Sequence, residues 1–535
     1  MFHQLLTPVQ DSLLLSFLVA SIPLAIVLVL LGIVKAPAWL ASLVGLVSAL
    51  TIAILIWKLP VQMALISTGA GAVFALWPVM WIVFNALVLY NIACQSGRFD
   101  AFRRWVIQHL PNDKRIVMVV IGFSFSALLE GVCGFGTPVA ITSALLIALG
   151  FPALEAIVFT LLFNTAPVAF GAMGVPVTTL GAVTSLPNAD LGAMIGRQLP
   201  FFALLLPFYG VTMLGGFKAI RGVWPFLLVA GGSFAGAQFA TSNFVAYELT
   251  DVGSSLVSLI VTIAFLQIWR PKPDPEYALV APANTLVVED KVPAWQGWLP
   301  WLIVAGTVIA WVHFKVNLMG QMNIPWEGLH NQVYITLYEK PYAAIWNFQP
   351  LATGTAILAA AVLTALCVGV GVKGYAKAMV VTWVQIRIAV LTVMLILGLA
   401  YLLNYSGMAY TLGLGVASAG VFFPLLSAFL GWLAVFLSGS DTSGNALFGN
   451  LQVIAARQLN LDPVLMAATN SSGGVMGKLI SPQNISTGCA TSDLKGKEGA
   501  IFARTFFHSV FLTVLLGGLV LLQQYVFPWM IPGHH

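Results

Sequence analysis

Apolar runs of about 18 residues or more return along this chain from end to end, without the alternation that a half-solvated sheet would impose. Runs of that length cross a hydrocarbon core of roughly 30 Å as helices. Spans are predicted near 12–34, 38–57, 62–95, 116–149, 153–181, 199–216, 223–242, 253–269, 297–313, 351–372, 378–403, 411–436, 444–475 and 500–531. Several are interrupted by glycine or proline, or are too long for one straight helix, so the pattern predicts about 12–14 crossings. The fold class is an all-α polytopic membrane protein. The first run lacks a basic lead-in and continues into further spans, which argues against a cleavable signal.

Polar stretches punctuate this pattern in few places. Residues 98–115, RFDAFRRWVIQHLPNDKR, concentrate Arg98, Arg103, Arg104, Lys114 and Arg115, which places that loop in the cytoplasm. Counting back through three spans puts the N-terminus outside. Residues 270–296, RPKPDPEYALVAPANTLVVEDKVPAWQ, are rich in proline and charge and read as a solvated linker between two halves. A second polar loop, 314–350, carries Trp326, Tyr338 and Trp346 with few basic residues and is expected outside, its aromatics near the interface. The chain then divides into a first transmembrane half, 1–222, with a repeat core at 62–215. A connecting region follows at 223–350, and a second half at 351–535 with its repeat core at 373–531.

The repeat rests on three patches that recur in one order. LYNIACQSGRFDAF (89–102) matches LAYLLNYSGMAYTL (399–412), setting Ser96–Gly97 against Ser406–Gly407. LLEGVCGFGTPVA (128–140) matches FLSGSDTSGNALF (436–448), and FNTAPVAFGAMGVPVTTLG (163–181) matches TNSSGGVMGKLISPQNISTG (469–488). The segment after Ser96 is basic, whereas the one after Ser406 has no charge, and Lys373 and Lys377 fit a cytoplasmic start for the second-half helix. Opposite charge signatures predict inverted repeats, which commonly hold a substrate at their interface near the bilayer midplane.

Four stretches inside the apolar pattern mix glycine and small polar residues, three of them with proline: GVCGFGTP (131–138), NTAPVAFGAMGVP (164–176), SGSDTSGN (438–445) and NSSGGVMGKLISPQN (470–484). Backbone broken at membrane depth is tolerated only where protein or a water-filled cavity covers its freed N–H and C=O groups. The half-helix N-termini left by such breaks present N–H groups to an anion. Two breaks per half predict paired re-entrant hairpins around one polar site. Glu130 and Asp441 fall in the first hairpin of each half, and a carboxyl at that depth is a functional candidate by default.

Composition narrows the function classes. The chain is 535 residues long, 59% hydrophobic and 8% charged, against about 25% charged for a soluble domain. Its net charge of +5 implies no nucleic acid, since the basic residues cluster in the loop expected in the cytoplasm. The four cysteines, at 94, 133, 367 and 489, suggest neither a disulfide frame nor a zinc site. HExxH, GxSxG and Walker motifs are missing, so neither an integral membrane enzyme nor a metal or other cofactor is expected. A passive anion channel would have no need of carboxylates buried in paired hairpins.

LLEGVCGFGTPVAIT, FNTAPVAFGAMGVP, GRQLPFF, VAGGSFA, FLGWLAVFLSGSDTSGNALF, GKLISPQ and FFHSVF resemble the bacterial L-lactate permease family, and the resemblance runs along almost the whole chain. It implies uptake of L-lactate, D-lactate and glycolate with protons across the inner membrane. A sodium-coupled carrier, or one for another small carboxylate, is the alternative. The implied partners are a small 2-hydroxy monocarboxylate, protons and the lipid bilayer, with room left for a homo-oligomer.

Candidate site residues follow from type and position. Asp441, flanked by the hydroxyls of Ser440, Thr442 and Ser443, is the favoured proton carrier; Glu130 is the other carboxyl. His508 reads either as a proton relay or as a histidine packed between helices. Arg387, inside an apolar span, reads either as a bidentate partner for the substrate carboxylate or as a snorkelling side chain. Lys478 offers a second counter-charge. Gly134 and Gly136 allow close backbone approach, and Asn164, Thr165, Asn470, Ser471, Ser472 and Gln483 supply amides and hydroxyls for the substrate's own hydroxyl. Tyr405 lies beside a second-half break.

Overall fold

The computed structural model describes residues 1–34, 36–134, 137–279, 292–490, 492, 494 and 498–533. Among these, nine helices are long and apolar enough to cross a membrane, from Leu13–Leu30 to Glu498–Tyr525, and a bent pair makes a tenth. The shorter apolar helices Pro138–Ala148 and Thr353–Cys367 add to them. Asp441–Gln458 falls outside the nine because it carries polar residues of the protein's interior, and Pro463–Lys478, also polar, is only 16 residues long. The sequence-based number of crossings includes these shorter and more polar helices.

The two ends of the bundle are distinct. At one end Phe2–His3 pairs in parallel with Val333 and Tyr334, and Gln4 Nε2 donates to the carbonyls of Asn404 (2.8 Å) and Tyr405 (3.1 Å). The N-terminus and the 314–350 loop therefore share a face. Within that loop Met322–Pro325 and Ile345–Phe348 form an antiparallel ribbon. At the other end the linker docks on the basic segment. The Leu279 N–H donates to Asn112 Oδ1 (3.1 Å), the Arg115 guanidinium lies 4.2 Å from the Tyr277 ring, and Arg98 reaches Gln296 Oε1 (3.1 Å). The middle of the linker, 280–291, lies outside the described residues. The Tyr247–Ile268 span joins the two ends, with Tyr247 beneath the loop and Ile268 leading into the linker.

Helix breaks fall where glycine and proline cluster. Ser126–Cys133 ends at Gly134 with φ +55°, and Thr137–Ala148 follows. Ala153–Phe163 and Val168–Thr184 are bent by 63°, and Ala172, Met173 and Gly174 take left-handed φ values of 45°, 57° and 75° within the second of them. In the second half Phe423–Ser438 ends at left-handed Gly439, and Asp441–Gln458 starts two residues later, after Ser440. Pro463–Lys478 then gives way to Pro482–Ala490. Gly97 and Gly407 are both left-handed helix junctions. Phe423–Ser438 and Pro463–Lys478 pack backbone to backbone: a Cβ on Gly473 would overlap the carbonyl oxygen of Ala428, and one on Gly477 that of Trp432.

Candidate functional site

The four breaks converge on a cavity of about 40 Å³ bordered by Glu130, Gly134, Ser440, Asp441, Thr442, Lys478 and Gln483. That exceeds the roughly 10–15 Å³ that a cavity needs to hold a water. Glu130 and Lys478 meet across the two halves, Oε1 to Nζ at 2.9 Å, with side chains only 3% and 6% exposed. Glu130 Oε2 accepts from Asn164 Nδ2 at 3.0 Å. The absence of a side chain on Gly171 makes room for this pair, since a Cβ there would lie 2.8 Å from Glu130 Oε1.

Asp441 is held on one side only. Its Oδ2 accepts from Ser471 Oγ (2.5 Å) and Asn445 Nδ2 (3.3 Å), while Oδ1 has no hydrogen-bond partner among the described residues. Behind it a chain of amides runs inward: Asn470 Nδ2 donates to Asn445 Oδ1 (2.9 Å), and Gln452 Nε2 to Asn470 Oδ1 (2.9 Å). Helix ends help to place the charges. Asp441 is the first residue of its helix, where the macrodipole favours an anion, and Lys478 is the last of its own, where it favours a cation. Ser440 caps the Asp441 helix by accepting from the Ser443 N–H at 3.4 Å.

Other predicted residues stand elsewhere. Asn164, Asn470 and Ser471 support the two carboxyls rather than border the cavity. Ser443 serves the cap, and Thr165 Oγ1 donates to the Leu162 carbonyl of its own helix (2.7 Å). Ser472 is fully buried in the Pro463–Lys478 helix. Gly136 lies outside the described residues. Arg387 corrects an expectation: it is exposed on Val372–Ser406 beside exposed Trp383, Val384 and Ile388, so it faces outward and not toward the cavity. Its apolar surroundings are exposed side chains on the outside of the bundle, which a sequence that is hydrophobic all round does not distinguish from a core. His508 likewise stays away from the cavity, its Nδ1 2.6 Å from Tyr209 Oη between two spans.

Tyr405 borders a second, larger space. A vestibule of about 640 Å³ opens beneath the 314–350 loop, edged by Tyr247, Glu248, Trp326, Trp346, Asn404 and Tyr405 among others. The Gly171–Thr184 helix runs from one space to the other, with Pro176 on the small cavity and Thr178 on the vestibule. Sequence reasoning missed Asn445, Gln452, Glu248 and Asp251. The Asp441–Asn445 spacing of one helical turn was the available signal for the first.

The family model described as L-lactate permease matches residues 16–527. The glycolate permease GlcA of Escherichia coli strain K12 is 42% identical over 546 residues, covering 97% of each chain. The L-lactate permease of Bacillus subtilis strain 168 is 39% identical over 563 residues, covering 99% of each. The solved structure of the Alcanivorax borkumensis YdaH transporter covers 87% of this chain and 88% of that one at 13% identity, with a TM-score of 0.43, too remote to inform the site.

Proposed function

We propose that this chain, which belongs to the L-lactate permease family, is a secondary active transporter taking up L-lactate, D-lactate and glycolate with protons across the bacterial inner membrane. The observation that carries this reading is the buried Lys478–Glu130 ion pair on the same small cavity as Asp441. The substrate is an anion, and Lys478 is the one cation bordering that cavity among the described residues. To bind, the substrate carboxylate takes Lys478 Nζ from Glu130. A bare Glu130 carboxylate left in the dry interior would be very costly, so substrate binds when a proton neutralises Glu130. Anion and proton then travel together.

This assignment moves the proton from Asp441, which the sequence favoured, to Glu130, because Glu130 is the group with which the substrate competes. Asp441 then accepts the substrate's 2-hydroxyl, with Ser440, Thr442 and Gln483 on the same cavity. The two halves are inverted copies in this reading, and the N-terminus, the 314–350 loop and the vestibule face outward. A lone anion would enter against about 2.3 kcal/mol per 100 mV of inside-negative potential. With one proton aboard, the pH difference supplies roughly 1.4 kcal/mol per unit as the drive.

The test uses purified protein in proteoliposomes, with radiolabelled lactate accumulation under an inward proton gradient and counterflow at equal pH. Glu130→Gln keeps counterflow and loses accumulation. Asp441→Asn loses both, because it weakens binding itself. A Glu130→Gln variant that still concentrates lactate under the proton gradient overturns the assignment.

A further inference from the structure

A third carboxyl lies behind the ion pair, and the transport reading has not used it. Asp251, near the start of the Thr250–Ile268 helix, is fully buried. Neither of its carboxyl oxygens has a hydrogen-bond partner among the described residues. It packs against the helix that carries Glu130: a Cβ on Gly131 would lie 2.7 Å from Asp251 Cβ. Glu130 is the residue before Gly131 on that helix and carries Lys478 as its ion-pair partner. A buried carboxylate without donors is far costlier than a buried neutral carboxyl. The position therefore suits a group that holds a proton and gives it up only briefly.

On its other side Asp251 is separated from the vestibule by the turn before its helix, which lines that space with Tyr247 and Glu248. Glu248 is half-buried on the vestibule wall, where its Oε1 accepts from Thr353 Oγ1 at 3.0 Å. Residues three apart in a helical turn lie on one face, with Cβ atoms about 5–6 Å apart. Glu248, Asp251 and Glu130 thus follow one another from the vestibule to the ion pair. Of the helices packed on Thr250–Ile268, Trp224–Phe244 and Gly171–Thr184 have no ionisable residue. Leu299–His313 contributes an exposed histidine at its far end, and the preceding turn brings Tyr247 with Glu248.

We propose that Asp251 relays protons between the vestibule-facing Glu248 and the Glu130–Lys478 pair. Asp251 holds a proton at rest. As the substrate carboxylate takes Lys478, that proton passes to the Glu130 carboxylate, leaving Glu130 neutral and Asp251 charged. Asp251 regains a proton from Glu248, which takes one from vestibule water. The relay rests on the proton-coupled reading above and adds the route by which the proton arrives.

Proteoliposomes of wild type, Asp251→Asn, Asp251→Glu and Glu248→Gln separate the two ideas. Wild-type uptake indifferent to the pH gradient overturns the coupled reading and the relay with it. Given coupled wild-type uptake, Asp251→Asn lowers the initial rate of pH-driven uptake by about 10²-fold, the lower end of what a positioned acid–base group contributes. Equal-pH counterflow stays at the wild-type rate, since exchange needs no fresh proton. Asp251→Glu restores part of the driven rate, and Glu248→Gln flattens the dependence of uptake on vestibule-side pH. Driven uptake by Asp251→Asn at the wild-type rate overturns the relay. So does an equal fall of uptake and counterflow in a variant that melts at the wild-type temperature, which would place Asp251 in substrate binding or in the conformational change rather than in proton supply.

Discussion

Lys478 and Glu130 are buried against each other, with Asp441 on the same cavity, so each depends on the other. Removing one partner of such a pair costs about 3–5 kcal/mol because the survivor must either keep its charge in a dry place or be neutralised by a proton gained or lost. Lys478→Met and Glu130→Gln should each lower the unfolding temperature in detergent, whereas the double variant regains most of the loss and still binds no lactate. Three single-step melts and one binding isotherm check this. Gly171→Ala is a milder probe of the same pair. Its new methyl would stand 2.8 Å from Glu130 Oε1, and overpacking of this kind costs about 1–3 kcal/mol. Arg387→Lys, by contrast, should leave lactate affinity unchanged, because Arg387 is exposed on the outer side of its helix; weakened binding would bring it back into the site. Residue type was legible here and residue direction was not. An arginine in an apolar run announces itself, but helix phase cannot be read where every face of the helix is apolar.

At the scale of helices, the breaks were legible because their cause is local. Gly134, Gly174 and Gly439 take left-handed φ values that most side chains resist, and the sequence shows those glycines directly. Which polar residues each break would gather was partly legible: Glu130, Asp441, Lys478 and Gln483 meet on one cavity as the hairpin pattern suggested. Asp251 escaped because an acid at the start of a helix reads as a favourable end charge, and its contact with Gly131 spans distant parts of the chain. The Ser440 cap belongs to this scale. Ser440→Ala removes the acceptor for the Ser443 N–H and should cost about 1 kcal/mol, while Ser440→Asn, which can still cap, should be nearly neutral in the same melting experiment.

For the whole molecule, the strand pairing of Phe2–His3 with Val333 and Tyr334 ties the N-terminus to the roof of the vestibule. That pairing joins residues over three hundred positions apart, so no local pattern announced it. If this face is external, a membrane-impermeant thiol reagent added to intact cells should block transport by an otherwise cysteine-free Ala182→Cys variant, since Ala182 borders the vestibule. Block only in inside-out vesicles would reverse the orientation. The seam between Phe423–Ser438 and Pro463–Lys478 bears on how such a molecule alternates. Where Gly473 meets Ala428 and Gly477 meets Trp432, the contact is main chain on main chain, with no side chain whose rotamer could change to let one helix slide past the other. Close-packed interfaces of this kind transmit displacement rather than absorb it. Asp441 and Lys478 sit at the ends of this welded unit, one just beyond each of its helices or at its tip. Whatever motion carries the cavity from one side of the membrane to the other, these two charges and their hairpin travel as one body.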